Sequence, residues 1–180
     1  LEGIHSRTDF DLKQHEEYSN KKLRYFDPES QESYVPFVLE TSIGLDRMFL
    51  AVLSSSLREE KLEDESVRTV MSIPFALAPV KAAILPLIKK DGLPEKAREV
   101  LAQLQLHHNV QYDEKDAIGR RYRRQDAIGT PLCITVDHET LKDHAVTVRN
   151  RDTMEQERVP IAKLPHHVDE LVSMSSLFRA

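Results

Sequence analysis

The chain has 180 residues, 40% hydrophobic and 31% charged, with a formal net charge of −5 and a single cysteine. That balance suits a folded chain rather than a disordered one, and no apolar run approaches the ~18 residues of a membrane-crossing helix. One cysteine excludes an internal disulfide and fits a reducing cytoplasm, and an acidic total does not mark the whole surface for nucleic acid.

Residues 21–26 and 34–39 read as paired strands, joined by the turn-rich Asp27-Pro28-Glu29-Ser30-Gln31-Glu32-Ser33. The second strand runs on to Glu40 and passes into a helix over residues 45–53. Strand alternation puts Val38, Glu40 and Ser42 on one side and Val35, Phe37 and Leu39 on the other. The helix carries Leu45, Met48, Phe49, Val52 and Leu53 at helical spacing, a stripe expected to be buried. Arg47 falls outside that stripe, in the first turn. One short corner, Glu40-Thr41-Ser42-Ile43-Gly44-Leu45-Asp46-Arg47, can thus aim an acid, a small hydroxyl and a permanent cation at one hollow, a combination suited to a small zwitterion beside a polyphosphate. The competing reading is an exposed ion pair worth ~0–1 kcal/mol.

Residues 54–66, with Glu59, Glu60, Glu63, Asp64 and Glu65, read as a fraying helix end and a linker. Beyond residue 67 strand and helix signals alternate. Strands are expected at 82–88, 110–112, 132–136, 145–148 and 157–161, and helices at 94–106, 117–127 and 169–177. The first of these helices has Ala97, Val100, Leu101 and Leu104 on its apolar face. Such an order implies an α/β layer with a mixed sheet. Asp116-Ala117-Ile118-Gly119 recurs at Asp126-Ala127-Ile128-Gly129; two copies do not make a repeat architecture. Asp116 is expected to cap the N-terminus of the basic helix, and Gly129, before Thr130-Pro131, to end it. Arg120, Arg123 and Arg124 cluster on one face of that helix, and Ile118, Tyr122 and Gln125 face the sheet. The arginines suit either phosphate and unpaired bases or a charged face held by Asp113, Glu114 and Asp116. Cys133 lies in an apolar strand and reads as a buried thiol, not a nucleophile. His107-His108 and His166-His167 are adjacent pairs that chelate poorly, and no metal site is expected.

Five separated blocks, in order, resemble a known family. They are Glu2-Gly3-Ile4 with Arg7-Thr8-Asp9-Phe10-Asp11-Leu12-Lys13-Gln14-His15; the corner at 40–47; Ala78-Pro79-Val80-Lys81; Ile118-Gly119-Arg120-Arg121-Tyr122-Arg123-Arg124-Gln125-Asp126 with Gly129-Thr130-Pro131; and Arg151-Asp152-Thr153-Met154-Glu155-Gln156. Together they resemble class II aminoacyl-tRNA synthetases of the homodimeric glycyl type, the corner being similar to that family's motif 3. The resemblance implies a fold in two parts. Residues 1–66 would be the remnant of an antiparallel catalytic sheet with its linker, and residues 67–180 an α/β anticodon-binding domain. It also implies a fragment, the C-terminal part of a longer cytoplasmic ligase, inactive on its own.

By the same resemblance, Glu40, Thr41, Ser42, Ile43 and Gly44 would bind glycine, with Glu40 on its ammonium group. Gly44, Leu45, Asp46 and Arg47 would bind ATP, with Leu1 and Glu2 at the edge of another ATP-contacting segment; Glu40 and Arg47 would be the catalytic pair. Arg120, Arg121, Arg123 and Arg124 would meet tRNA(Gly). Magnesium would come with ATP, held mostly by phosphates. The intact enzyme would be a homodimer, with no membrane and no DNA as partner. His5 stands where a smaller residue is expected, which could mark a contact of its own. Two rivals share parts of the pattern: a non-catalytic synthetase-like accessory subunit of a DNA polymerase, and a related synthetase for threonine, proline or histidine. Retention of Glu40, Ser42, Gly44 and Arg47 argues against the first; the second would need room for larger side chains.

Overall fold

The structure is a computed structural model that describes residues 1–62 and 65–178. Glu63 and Asp64 of the acidic segment lie outside the described residues. The chain divides into two compact units, Leu1–Ala51 and Val52–Ala180.

In the first unit β1 (Glu2–Thr8) is followed by α1 (Phe10–Ser19), β2 (Tyr25–Asp27), β3 (Glu32–Tyr34), β4 (Val38–Ile43) and α2 (Leu45–Ser56), whose last turn belongs to the second unit. β2 and β3 form a hairpin shorter than the one expected from 21–26 and 34–39, with Tyr25 opposite Tyr34 and their rings edge to face. The single long strand expected over 34–40 is instead two. The break falls at Val35-Pro36-Phe37, where Pro36 has no N–H to give a ladder. β4 pairs antiparallel with β1, putting Gly3 opposite Ser42 and His5 opposite Glu40, with an irregularity between Ser6 and Thr8. Helix α1 escaped the sequence reading because its apolar residues form no stripe. No residue of this unit is buried. The stripe on α2 is therefore a correction: Leu45, Met48 and Phe49 are exposed, because no apolar layer lies over them.

The second unit opens with a hairpin, β5 (Leu57–Lys61) and β6 (Val67–Met71), where a linker was expected. Val67, Val70 and Met71 give β6 strand character, and Val70 is fully buried. The main sheet comprises β7 (Ala82–Pro86), β8 (Val110–Tyr112), β9 (Leu132–Val136), β10 (Ala145–Asn150) and β11 (Gln156–Pro160). Its strand order is β11-β10-β9-β7-β8. β7 runs parallel to β8 and β9, and β10 antiparallel to β9 and β11. It is the mixed sheet that the alternation implied.

Every residue of β7 and β9 is buried, as the near-continuous apolar runs of strands covered on both faces require. On one face Ala82, Ile84, Leu132, Ile134, Val146 and Val148 meet α3 (Leu93–Leu104) and α6 (Leu164–Val172). On the other, Ala83, Leu85 and Cys133 meet Ile118 and Tyr122 of α4 (Ile118–Ile128). A short α5 (Thr140–Asp143) links β9 to β10. The C-terminal helical pattern splits into α6 and a 3-10 stretch, Met174–Phe178. Among the described residues, no helix is long and apolar enough to cross a membrane.

Charged groups stitch the hairpin to this layer. Asp126 is fully buried at the end of α4. It takes both Nη atoms of Arg149 on β10, at 2.9 and 3.2 Å. Arg68 Nε of β6 lies 3.1 Å from its second oxygen, a charge contact without hydrogen-bond alignment. Arg149 also lies over the Tyr122 ring. Burial works to lower its pKa, but the hydrogen bonds and charge of Asp126 outweigh that and raise it. Arg151, 1% exposed, donates to the carbonyls of Gly129 and Ile73 at 2.9 and 2.8 Å, and its own carbonyl accepts from Arg68 Nη2. Removing one partner of a buried charge set costs about 3–5 kcal/mol. Asp126→Ala, which leaves the buried Arg149 without its carboxylate and Arg68 with only Glu60 and the Arg151 carbonyl, is expected to lower unfolding stability by about that amount in urea titration; a loss within ~0.5 kcal/mol would show the cluster to be dispensable.

Candidate functional site

Two regions carry the residues singled out by the sequence. The first is the corner between β4 and α2. Strand β4 extends to Ile43, so Glu40 and Ser42 do share a face, with Val38. Across the ribbon, Gly3 and His5 of β1 lie opposite Ser42 and Glu40. The Gly44 N–H donates to the Leu1 carbonyl at 3.4 Å, and Gly44's own carbonyl accepts the first helical bond from Met48. The fold thereby brings Leu1 and Glu2, which the resemblance assigned to ATP, beside Ile43, assigned to glycine, and Gly44, assigned to both. A Cβ at Gly44 would lie 3.4 Å from the Arg47 Cδ, in van der Waals contact, so the Arg47 stem folds back along the helix start. Leu45, Asp46 and Arg47 occupy the first turn of α2, and all three are exposed.

The partner of Glu40 is Arg7, whose Nε donates to Oε2 at 2.7 Å. This hydrogen bond, with the guanidinium charge, holds the Glu40 carboxyl below its ordinary range and raises Arg7 in turn. Sequence reading placed Arg7 only within a matching block and gave it no role. Its position on the strand that pairs with β4 was the missing fact, and nothing local to 1–9 announces that pairing. Glu40 and Arg47 are not joined by an ion pair. A cavity of about 620 Å³ in this unit is lined by Asp9, Lys13, Arg24, Tyr34, Val35 and Phe37, outside the corner. Glu40 is half-buried, and residues 41–47 are exposed.

The second region is α4. Its N-terminus is not capped by Asp116: the cap position is Ala117, and Asp116 sits at φ 69° with its carboxylate on Arg124 Nη1 at 2.8 Å. Its C-terminus ends as expected, Gly129 taking φ 86° while Thr130 N–H reaches the Gln125 carbonyl. The four arginines separate into two kinds. Arg121 is buried, its Nη1 donating to the Pro86 carbonyl at 2.6 Å and Nη2 to that of Leu87 at 3.1 Å. Grouping it with a tRNA face is corrected by this burial. Arg124 forks onto Asp113 and Asp116 and donates to the Lys115 carbonyl; the acidic neighbours do hold this member of the cluster. Arg120 and Arg123 are exposed. On the opposite face Ile118 and Tyr122 pack on the sheet, the Tyr122 hydroxyl meeting Thr135 Oγ1 at 2.7 Å, and Gln125 is buried with Thr130.

Residues 81–171, about half of the chain, match the family model described as "Anticodon binding domain", and the chain belongs to that family. Its sequence relatives are more particular. A glycine–tRNA ligase of Clostridium beijerinckii is 53% identical over 168 residues, 93% of this chain and 36% of the relative. One of Clostridium perfringens is 58% identical over 165 residues, 89% of this chain and 35% of the relative. The chain therefore spans about a third of the length of these relatives. A crystal structure of the RNA-binding domain of threonyl-tRNA synthetase from Cryptosporidium parvum shares the fold, at a TM-score of 0.64 and 22% identity, covering 83% of this chain and 35% of that one. Prolyl-tRNA synthetase from the same organism gives a TM-score of 0.53 at 21% identity, covering 63% of this chain and 30% of that one.

Cys133, 2% exposed among apolar neighbours, has a thiol that burial pushes from 9.0 up to about 12. A buried neutral thiol is a poor nucleophile. Because the raised value favours the protonated folded form, its contribution to stability is complete below pH 9 and declines as pH rises toward 12. Iodoacetamide at pH 8 is expected to leave Cys133 unmodified in the folded chain and to alkylate it in urea, read by intact mass; rapid modification without urea would contradict the burial.

Proposed function

We propose that this chain is part of a glycine–tRNA ligase that activates glycine with ATP and transfers it to tRNA(Gly). Relatives 53% and 58% identical over about nine tenths of the chain carry this reading, because their matches extend through both compact units. Little covalent chemistry falls to the protein in such a reaction; positioning and charge neutralisation supply the rate. Glu40, with Oε2 already fixed by Arg7, takes the glycine ammonium, and Ser42 stands two residues along the same face. Gly44 to Arg47, with Leu1 and Glu2 alongside, meet ATP. The helix start favours an anion, and the Arg47 guanidinium forks onto phosphate or stacks on adenine. ATP would bring magnesium. Arg120 and Arg123 offer the cationic face of α4 to tRNA. Further elements of the proposal are a homodimeric parent enzyme, a cytoplasmic setting and no aminoacylation by the 180 residues alone.

In the full-length ligase, ATP–pyrophosphate exchange with a panel of amino acids is expected to depend on glycine and not on threonine, proline or histidine. Ser42→Leu is expected to abolish glycine-dependent exchange, and an unchanged rate would remove Ser42 from the pocket. For α4, Arg123→Glu is expected to weaken tRNA(Gly) binding and flatten its salt dependence, since fewer counterions are released. Arg120 and Arg123 would lose their place in recognition if Arg123→Glu bound as tightly as the parent at low salt.

A further inference from the structure

The β1–β4 ribbon presents four positions on one face: Gly3 and His5 from β1, Ser42 and Glu40 from β4, in directly opposed pairs. Opposed side chains on an antiparallel ribbon stand about 4.5–5.5 Å apart at Cβ. Gly3 contributes no side chain, and the vacancy is filled by a neighbour. A Cβ at Gly3 would fall 2.7 Å from His5 Nε2 and 3.4 Å from Ser42 Oγ. The imidazole therefore bends back along its own strand and lies over Gly3, so that His5 Nε2 and Ser42 Oγ approach the same point. Glu40 stands across from the His5 backbone, with Oε2 taken by Arg7. Its Oε1 has no protein partner among the described residues and is the oxygen left for an ammonium group. An amino acid held there has the His5 ring on one flank and the Ser42 hydroxyl beyond it.

We infer that His5 is a specificity-determining residue of the amino-acid site, its ring being the wall that a substituent on the substrate's α-carbon would strike. The inference rests on the reading of Glu40 as the ammonium partner in a glycine ligase. Glycine, with two hydrogens on that carbon, passes beneath the ring, and alanine meets it. A soft pocket separates substrates differing by one methyl only about 10–200-fold, so the position of a single wall group decides much of the selectivity. His5 is exposed, and its truncation leaves no internal cavity.

The test uses the full-length ligase with His5→Ala and His5→Gln, each assayed for kcat/KM of pyrophosphate exchange with glycine and with alanine. His5→Ala is expected to lower the glycine-over-alanine ratio by about 10-fold or more, chiefly through a rise in kcat/KM for alanine. His5→Gln, with similar reach, is expected to keep most of the ratio. An unchanged ratio in His5→Ala overturns the inference, as does an equal fall in both rates, which marks a merely structural residue. Absence of glycine-dependent exchange in the unmodified enzyme is a separate result: it refutes the ligase reading itself, and the role of His5 in glycine selection with it.

Discussion

A carboxylate with no exposure to water sits at the centre of the second unit and must be answered by positive charge. Asp126 meets that demand with Arg149 from the sheet and Arg68 from the preceding hairpin. Three elements far apart in sequence are thereby fixed to a single point. The register of β6 against α4, the placing of the helix end, and the path of the chain through Gly129 all follow from it. Gly129 itself has a second constraint: a Cβ there would come within 3.1 Å of the Met71 carbonyl, a tight contact that adds to the strain of its positive φ. A buried charge set is weak evidence for net stability, although removing one partner from it is costly. Here Arg68 also reaches Glu60 of its own hairpin and the Arg151 carbonyl.

The same helix illustrates how one run of four arginines divides its labour. Helical geometry turns Arg121 inward, where carbonyls at the end of β7 receive it. Arg124 is neutralised by carboxylates of the loop before the helix. Arg120 and Arg123 are the exposed pair, and Arg120 also acts on Asp116 through its charge. A count of basic residues overstates such a face, and what matters for a polyanion is the charge that the protein has not already spent on itself.

Legibility in the sequence followed the strength of local periodicity. The central strands β7 and β9, the apolar face of α3 and the glycine stop of α4 were readable because burial on both faces, helical spacing and a left-handed turn each leave a local mark. β5 and β6 were not, since their charges hide the alternation; Arg68 inside Val67-Arg68-Thr69-Val70 was the one clue, a cation in a strand that needs a buried partner. Helix α1 lacks an apolar stripe and gave no signal. At the corner, the residues of β4 and α2 were identified, but the Arg7–Glu40 pair depends on which strand lies beside β4, information that no spacing within 34–47 contains.

The main sheet ends in two unlike margins. β8 is only three residues long, and β11 carries Glu157, Arg158 and Pro160, the last unable to donate to a neighbour. Sheet margins that are short, ionic or proline-bearing discourage strand-to-strand addition by another molecule. Crowding among nascent chains therefore finds no ready template here, and the α/β layer is protected from polymerising through its own backbone.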